Sequence, residues 1–218
     1  MVRKTKAEAE RTREQILDAA ETVFLQRGVA RASLAEIADA AGVTRGAVYW
    51  HFRDKTDLFN AMYCRVHLPM AELFDEIVAA PQGNRQLEQA LSGLKAFCVR
   101  ALTSIEQDPR RCRVFTILFH RCEFVDGLSE SNQKLIEVNR QNLDNLIQLF
   151  SHAQASGRLA HGLTPPLAAT VVHSFLDGMY FEALRDPDRY HLQRDAEAMV
   201  SAVFAGLLTA GEPPLRLG

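Results

Sequence analysis

The chain has 218 residues, 47% of them hydrophobic, enough for one sizeable core or for a small and a larger one. Its 25 Lys+Arg nearly balance 27 Asp+Glu, so net charge points to no acidic partner and only the distribution of charge informs. No apolar run approaches the roughly 20 residues of a membrane helix, and the basic start MVRKTK has no apolar segment behind it, so neither a membrane span nor a secretory leader is expected.

Residues 1–65 hold 11 Lys/Arg against 9 Asp/Glu, and Arg3, Lys4 and Lys6 gather positive charge at the very start. Cys64, Cys98, Cys112 and Cys122 show neither a CxxC pair nor zinc-finger spacing, so they read as reduced, mostly buried thiols in a cytosolic chain with no metal and no cofactor.

The periodicity is helical nearly throughout. Ile16, Ala19, Ala20, Val23 and Phe24 form one stripe, closed by Gly28 as a C-cap. Ser33-Leu34-Ala35-Glu36 is a capping box opening a second helix that ends at Gly42. Thr44 caps a third, with Val43 placed to staple onto Val48. Asp54 starts a fourth, running from Lys55 toward residue 79 or 80, with a kink or break expected near Leu68 because Pro69 follows. Residues 85–106 carry a clean one-faced stripe. RRCRVFTILFHRCEF (110–124) is apolar on more than one face and reads as a buried helix. Segments 131–156, 165–186 and 192–210 complete an all-α chain of about nine helices, punctuated by Gly157, Pro165-Pro166 and Asp186-Pro187-Asp188. The organisation expected is a small domain at 1–54, a larger one at 55–210 and a loose tail at 211–218.

A helix, a Gly-containing turn and a second helix outline a helix-turn-helix. On a wheel for residues 44–51, Val48 and Phe52 share one side while Gly46, Tyr49 and Trp50 fall opposite, with Arg45 at their border. A DNA contact explains that face. Gly46 lets the backbone approach closely, Arg45 reaches guanine or phosphate, Tyr49 and Trp50 offer polar hydrogens on broad apolar surfaces, and His51 and Lys55 suit phosphate. Capping of a small three-helix core by the two rings fits the same wheel.

TREQILDAAETVFLQRG followed by SLAEIADAAGVTRGAVYWHFRDKTDLF resembles the DNA-binding domain of the TetR family of transcriptional repressors over about 50 residues. The opening VRKTKAEAERTR and RVFTILFHRCEF (113–124) are similar to its branch that represses multidrug efflux pumps. The resemblance implies a bacterial, cytoplasmic homodimer on palindromic double-stranded operator DNA, released by small apolar or aromatic effectors. It implies a DNA face of Ser33, Thr44, Arg45, Gly46, Ala47, Tyr49, Trp50, His51 and Lys55, with Arg3, Lys4 and Lys6 added from the basic start. Ala47 stands where other members carry a polar residue, which shifts readout toward Arg45, thymine methyls and DNA shape.

Later helices carry an excess of bulky apolar residues with a few polar ones among them. The expected ligand pocket takes His67, Met70, Phe97, Cys98, Phe115, Leu118, Phe119, Cys122, Asn142, Phe175, Asp177 and Gly178. The last two helices read as a dimer interface through Val172, Leu176, Met179, Tyr180, Met199, Val203, Phe204 and Leu207. The cluster His120-Arg121-Cys122-Glu123 lacks every accompanying catalytic motif, so no enzyme is expected. A thiol sensor at Cys112, between Arg111 and Arg113, is the alternative regulatory reading, as is a TetR-type regulator of some other gene set.

Overall fold

The computed structural model describes residues 6–79, 81–122 and 129–209. Among them the chain is all-α: α1 (Lys6–Arg27), α2 (Leu34–Ala41), α3 (Arg45–His51), α4 (Lys55–Val78), α5 (Asn84–Gln107), α6 (Pro109–Thr116), a π-helical turn (Ile117–Arg121), α7 (Ser129–Ala155), α8 (Pro165–Arg185) and α9 (Leu192–Leu207). Residues 1–69 with 108–137 form one compact unit, and 70–107 with 138–218 form a second.

In the first unit the expected stripe of α1 is fully inside. Ile16, Leu17, Ala20 and Phe24 are buried together with Ile37 of α2, Val48 of α3 and Leu58, Phe59 and Met62 of α4. Phe24 and Phe59 meet edge to face at 6.2 Å. Each of these side chains larger than alanine contributes about 1.5–3 kcal/mol through its burial.

Beside this apolar core lies a charged junction. Glu21 of α1, 1% exposed, receives Arg65 of α4 and, from α6, Arg113 at 3.0 Å and Arg110 at 3.6 Å. Arg65 also reaches Glu14 at 2.8 Å and Asp18 at 2.9 Å. Arg111 is buried too, donating to the Val66 carbonyl at 3.0 Å with its guanidinium 4.6 Å from the centre of the Phe115 ring.

Two expectations need correction here. Of the kink or break expected near Leu68, the break does not occur: α4 is one helix from Lys55 to Val78 with Pro69 inside it. Met62 and Val66 before the proline, and Phe74 and Val78 after it, are all buried at four-residue spacing, so burial outweighs the roughly 3 kcal/mol that an internal proline costs. The helix expected over 110–124 is an α-helix only to Thr116 and then widens into the π turn. Thr116 Oγ1 donates back to the Cys112 carbonyl at 2.8 Å, a side-chain bond that competes with the helical ladder where the widening starts.

In the second unit α5 buries Leu87, Ala90, Leu91, Leu94, Cys98, Ala101, Leu102 and Ile105. Its main neighbour is α9, then α8. His191, the N-cap of α9, makes no capping bond of its own. Glu106 of α5 substitutes, accepting from the N–H groups of Leu192 at 2.5 Å and Gln193 at 2.9 Å. No helix among the described residues is long and apolar enough to cross a membrane.

Candidate nucleic-acid interface

Local capping chemistry sets the reading helix in place. Ser33 Oγ accepts from the Glu36 N–H at 3.2 Å, and the Glu36 carboxylate accepts from the Ser33 N–H at 2.9 Å. Arg27 at the end of α1 meets the same carboxylate at 3.2 Å. The Ser33 hydrogen bonds, with help from Arg27, hold the Glu36 carboxyl below its ordinary range. At the far end of α2, Gly42 turns left-handed at φ 65°, and the N–H groups of Gly42 and Val43 close onto the carbonyls of Asp39 and Ala38. Two residues on, Thr44 Oγ1 accepts from the Ala47 N–H at 3.2 Å and starts α3.

α3 is seven residues long and buries only Val48; Phe52, just past its end, is 2% exposed and lies under the Arg13 guanidinium. The opposite side is open. Tyr49 is 47% and Trp50 72% exposed, so neither ring caps the core. Arg45 lies along Tyr49, its guanidinium 3.3 Å from the hydroxyl and 5.6 Å from the ring centre. Trp50 stands edge-on to His51, with 4.5 Å between ring centres. A Cβ built on Gly46 would meet only Thr44 Oγ1, at 3.9 Å. Nothing among the described residues crowds that position.

Lys55 has partners inside the unit: its ammonium donates to the carbonyls of Ala30 at 2.8 Å and Ala32 at 3.0 Å. Partial burial lowers its pKa. Ser33 and Thr44 are exposed, but their hydroxyls serve the two caps; Ala47 is half-buried and Lys6 exposed. Arg3 and Lys4 lie outside the described residues.

The model of bacterial regulatory proteins of the tetR family matches residues 16–62, and that of the C-terminal region of MAATS-type transcriptional repressors matches residues 89–208. The HTH-type transcriptional regulator AcrR of Shigella flexneri is 36% identical over 216 residues, which span 99% of this chain and 97% of that protein. The chain belongs to the TetR family. That family comprises transcriptional regulators, not enzymes. NalD, the secondary repressor of the MexAB-OprM multidrug efflux pump in Pseudomonas aeruginosa, superimposes on this TetR-family chain with a TM-score of 0.85 and 37% identity, covering 94% of this chain and 100% of that one. SmeT in complex with triclosan gives 0.78 and 30%, covering 92% and 93%. SmeT is the repressor of the Stenotrophomonas maltophilia efflux pump SmeDEF.

The residues expected to hold an effector in this TetR-family chain fall in both units. In the first, His67 stacks on Tyr63 at 4.8 Å, and Phe115 lies 6.2 Å from Phe119. Leu118 is half-buried, while Phe119 and Cys122 line a cavity of about 410 Å³ whose wall is largely polar. In the second unit Phe97 packs on Phe74 at 5.3 Å, Cys98 is fully buried, and Met70, Asn142 and Phe175 are half-buried. Asp177 pairs with His173 at 3.4 Å; burial raises its pKa and the histidine partly offsets this.

Four residues expected at the dimer interface belong to the protomer's own core. Val172, Tyr180, Phe204 and Leu207 are all under 10% exposed within the single chain. Leu176, Met179, Met199 and Val203 remain half-buried. The exposed apolar residues of α8 are instead Leu167, Val171 and Phe181, on the stripe that also carries Gly178. Gly178 is exposed, and a Cβ there would meet nothing within 4 Å. Apolar residues at helical spacing read alike as core or as interface; only the side a neighbouring helix covers separates them.

Proposed function

We propose that the chain is a ligand-responsive repressor that binds a palindromic operator as a homodimer, controls a multidrug efflux pump operon in the bacterial cytoplasm, and is released by small apolar or aromatic compounds. The observation that carries the DNA reading is the division of α3. Val48 anchors one side, while Tyr49 and Trp50 stand exposed beside a glycine with open space around it. Thr44, Arg45, Gly46, Ala47, Tyr49, Trp50 and His51 are its contact set, with Ser33 and the basic start at the flanks. Lys55 acts from within by fixing the loop before α2.

Two copies joined along the exposed stripe of α8 and the half-buried positions of α9 would place two reading helices about 34–36 Å apart, in successive major grooves. An effector lowers operator affinity only through its greater affinity for the arrangement that does not fit DNA. The efflux assignment draws on what NalD and SmeT repress, and the effector class on the triclosan held by SmeT.

The experiment is selection of bound fragments from the source genome, followed by fluorescence anisotropy on the selected site with and without a panel of apolar and aromatic compounds. Expected are a two-fold symmetric site upstream of a transporter operon and a weaker complex with part of the panel. An unchanged affinity across the panel removes the ligand response while leaving the DNA reading intact.

A further inference from the structure

The largely polar cavity of the first unit has a use that operator binding does not absorb. Its wall is formed by Gln26 and Arg27 at the end of α1, Arg31 in the loop before α2, and His120, Arg121 and Cys122 at the π turn. Three arginines line one space of about 410 Å³, and no carboxylate is among its lining residues that the structure describes. Arg27 is already engaged by Glu36 at 3.2 Å. The side chains of Arg31 and Arg121 have no ion-pair or hydrogen-bond partner among the described residues.

The floor is rigid where the two cationic walls meet. The Val29 N–H donates to the Arg121 carbonyl at 2.9 Å, and Gly28 takes φ +79° to let the loop pass, with a Cβ there only 3.4 Å from that carbonyl. The residues flanking Arg31 are pinned as well, through Lys55 and the carbonyls of Ala30 and Ala32. Like charges are therefore held around a concave space by backbone geometry, at an electrostatic cost that an anion would remove. The π turn, a rare widening often found at functional sites, supplies His120 and Arg121 of the wall.

We infer that this cleft binds a small molecule carrying two or more oxyanion groups, phosphate or clustered carboxylate, bridged between Arg31 and Arg121. Guanidinium forks match both kinds of oxyanion with paired, charge-assisted hydrogen bonds. The site lies wholly within the DNA-binding unit and stands apart from the apolar effector proposed above. Occupancy ties the loop before α2 to the π turn, and Lys55 passes that restraint to the start of α4, next to the reading helix.

The test is isothermal titration calorimetry of the full chain with inorganic pyrophosphate and, separately, citrate at constant ionic strength, repeated on Arg31→Gln with Arg121→Gln. Neither arginine side chain has an ion-pair or hydrogen-bond partner among the described residues, so the double variant is expected to keep the wild-type melting curve. Expected is saturable binding of one or both probes, the stronger one naming phosphate or carboxylate as the ligand group, and a loss of at least about tenfold in the variant. No binding of either probe, or equal binding by the variant, overturns the proposal. So does one-for-one displacement of pyrophosphate by operator DNA together with weaker operator binding by the variant at a shallower salt slope, which assigns the cleft to the DNA backbone.

Discussion

Lys55 and Ala30 are joined at 2.8 Å by a hydrogen bond from the ammonium to a main-chain carbonyl, across 25 residues of sequence. With the second bond to Ala32, it closes the loop before α2 onto the first residue of α4. Lys55→Met should therefore act through structure. We expect a stability loss of about 1–3 kcal/mol in urea denaturation, from two carbonyls left unmade, and weaker operator binding. The slope of log affinity against log salt should stay as in the wild type. A slope reduced by about 0.9 would show that Lys55 neutralises a phosphate after all.

Arg45 is held ready against Tyr49 in the absence of DNA. Arg45→Ala should raise the operator Kd by the equivalent of roughly 1–3 kcal/mol and weaken binding to random DNA much less, as read by anisotropy on both duplexes. Equal losses on the two would restrict Arg45 to phosphate. Tyr49→Phe tests the partner: it keeps the ring under the guanidinium and removes only the hydroxyl.

Glu21 is the anion on which α1, α4 and α6 converge. Glu21→Gln leaves Arg65, only 12% exposed, without its innermost counter-charge. The expected cost is about 3–5 kcal/mol, the range for breaking a buried pair from one side. Chemical denaturation with an unchanged m-value would attribute that loss to the native state. A change under 1 kcal/mol would mean that Glu14 and Asp18 compensate.

Burial pushes the Cys98 thiol up to about 12 and the Cys122 thiol up to about 11. At neutral pH both are protonated and poor nucleophiles, whereas Cys64 is exposed. A thiol reagent should modify Cys64 first and reach Cys98 only on unfolding. The sign of the pH effect follows. The folded pKa of Cys98 lies above its ordinary value of 9.0, so its contribution to stability is whole below pH 9 and is lost as pH rises toward 12. Stability curves at pH 8 and pH 10 should therefore separate in the wild type and draw closer in Cys98→Ala.

What the sequence disclosed and what it withheld divide along the range of the interactions. The start of α2 at Ser33, the turn at Gly42 and the start of α3 at Thr44 are made by groups within five residues of one another, and they form where their residue types say they should. So does the outward face of α3, because a helix of known start has a known wheel. The partners of Lys55 sit more than 20 residues away, and no local pattern announces them. The continuity of α4 at Pro69 depends on burial on both sides of the proline, which periodicity counts but does not weigh. The cationic cleft brings together Arg31 and Arg121, 90 positions apart, beside a main-chain bond at Val29, a meeting that only the tertiary fold creates.

The empty surroundings of Gly46 also bear on how such a protein diverges. A Cβ added at that position meets only Thr44 Oγ1 among the described residues, at 3.9 Å, so the fold exerts little resistance to it and the penalty falls on whatever duplex is bound. Val48, on the other side of the same short helix, has no such freedom. Operator choice and foldedness are thus under separate selection on two faces of one helix, and a descendant could acquire a new target site by changing the outer face without first having to be stabilised.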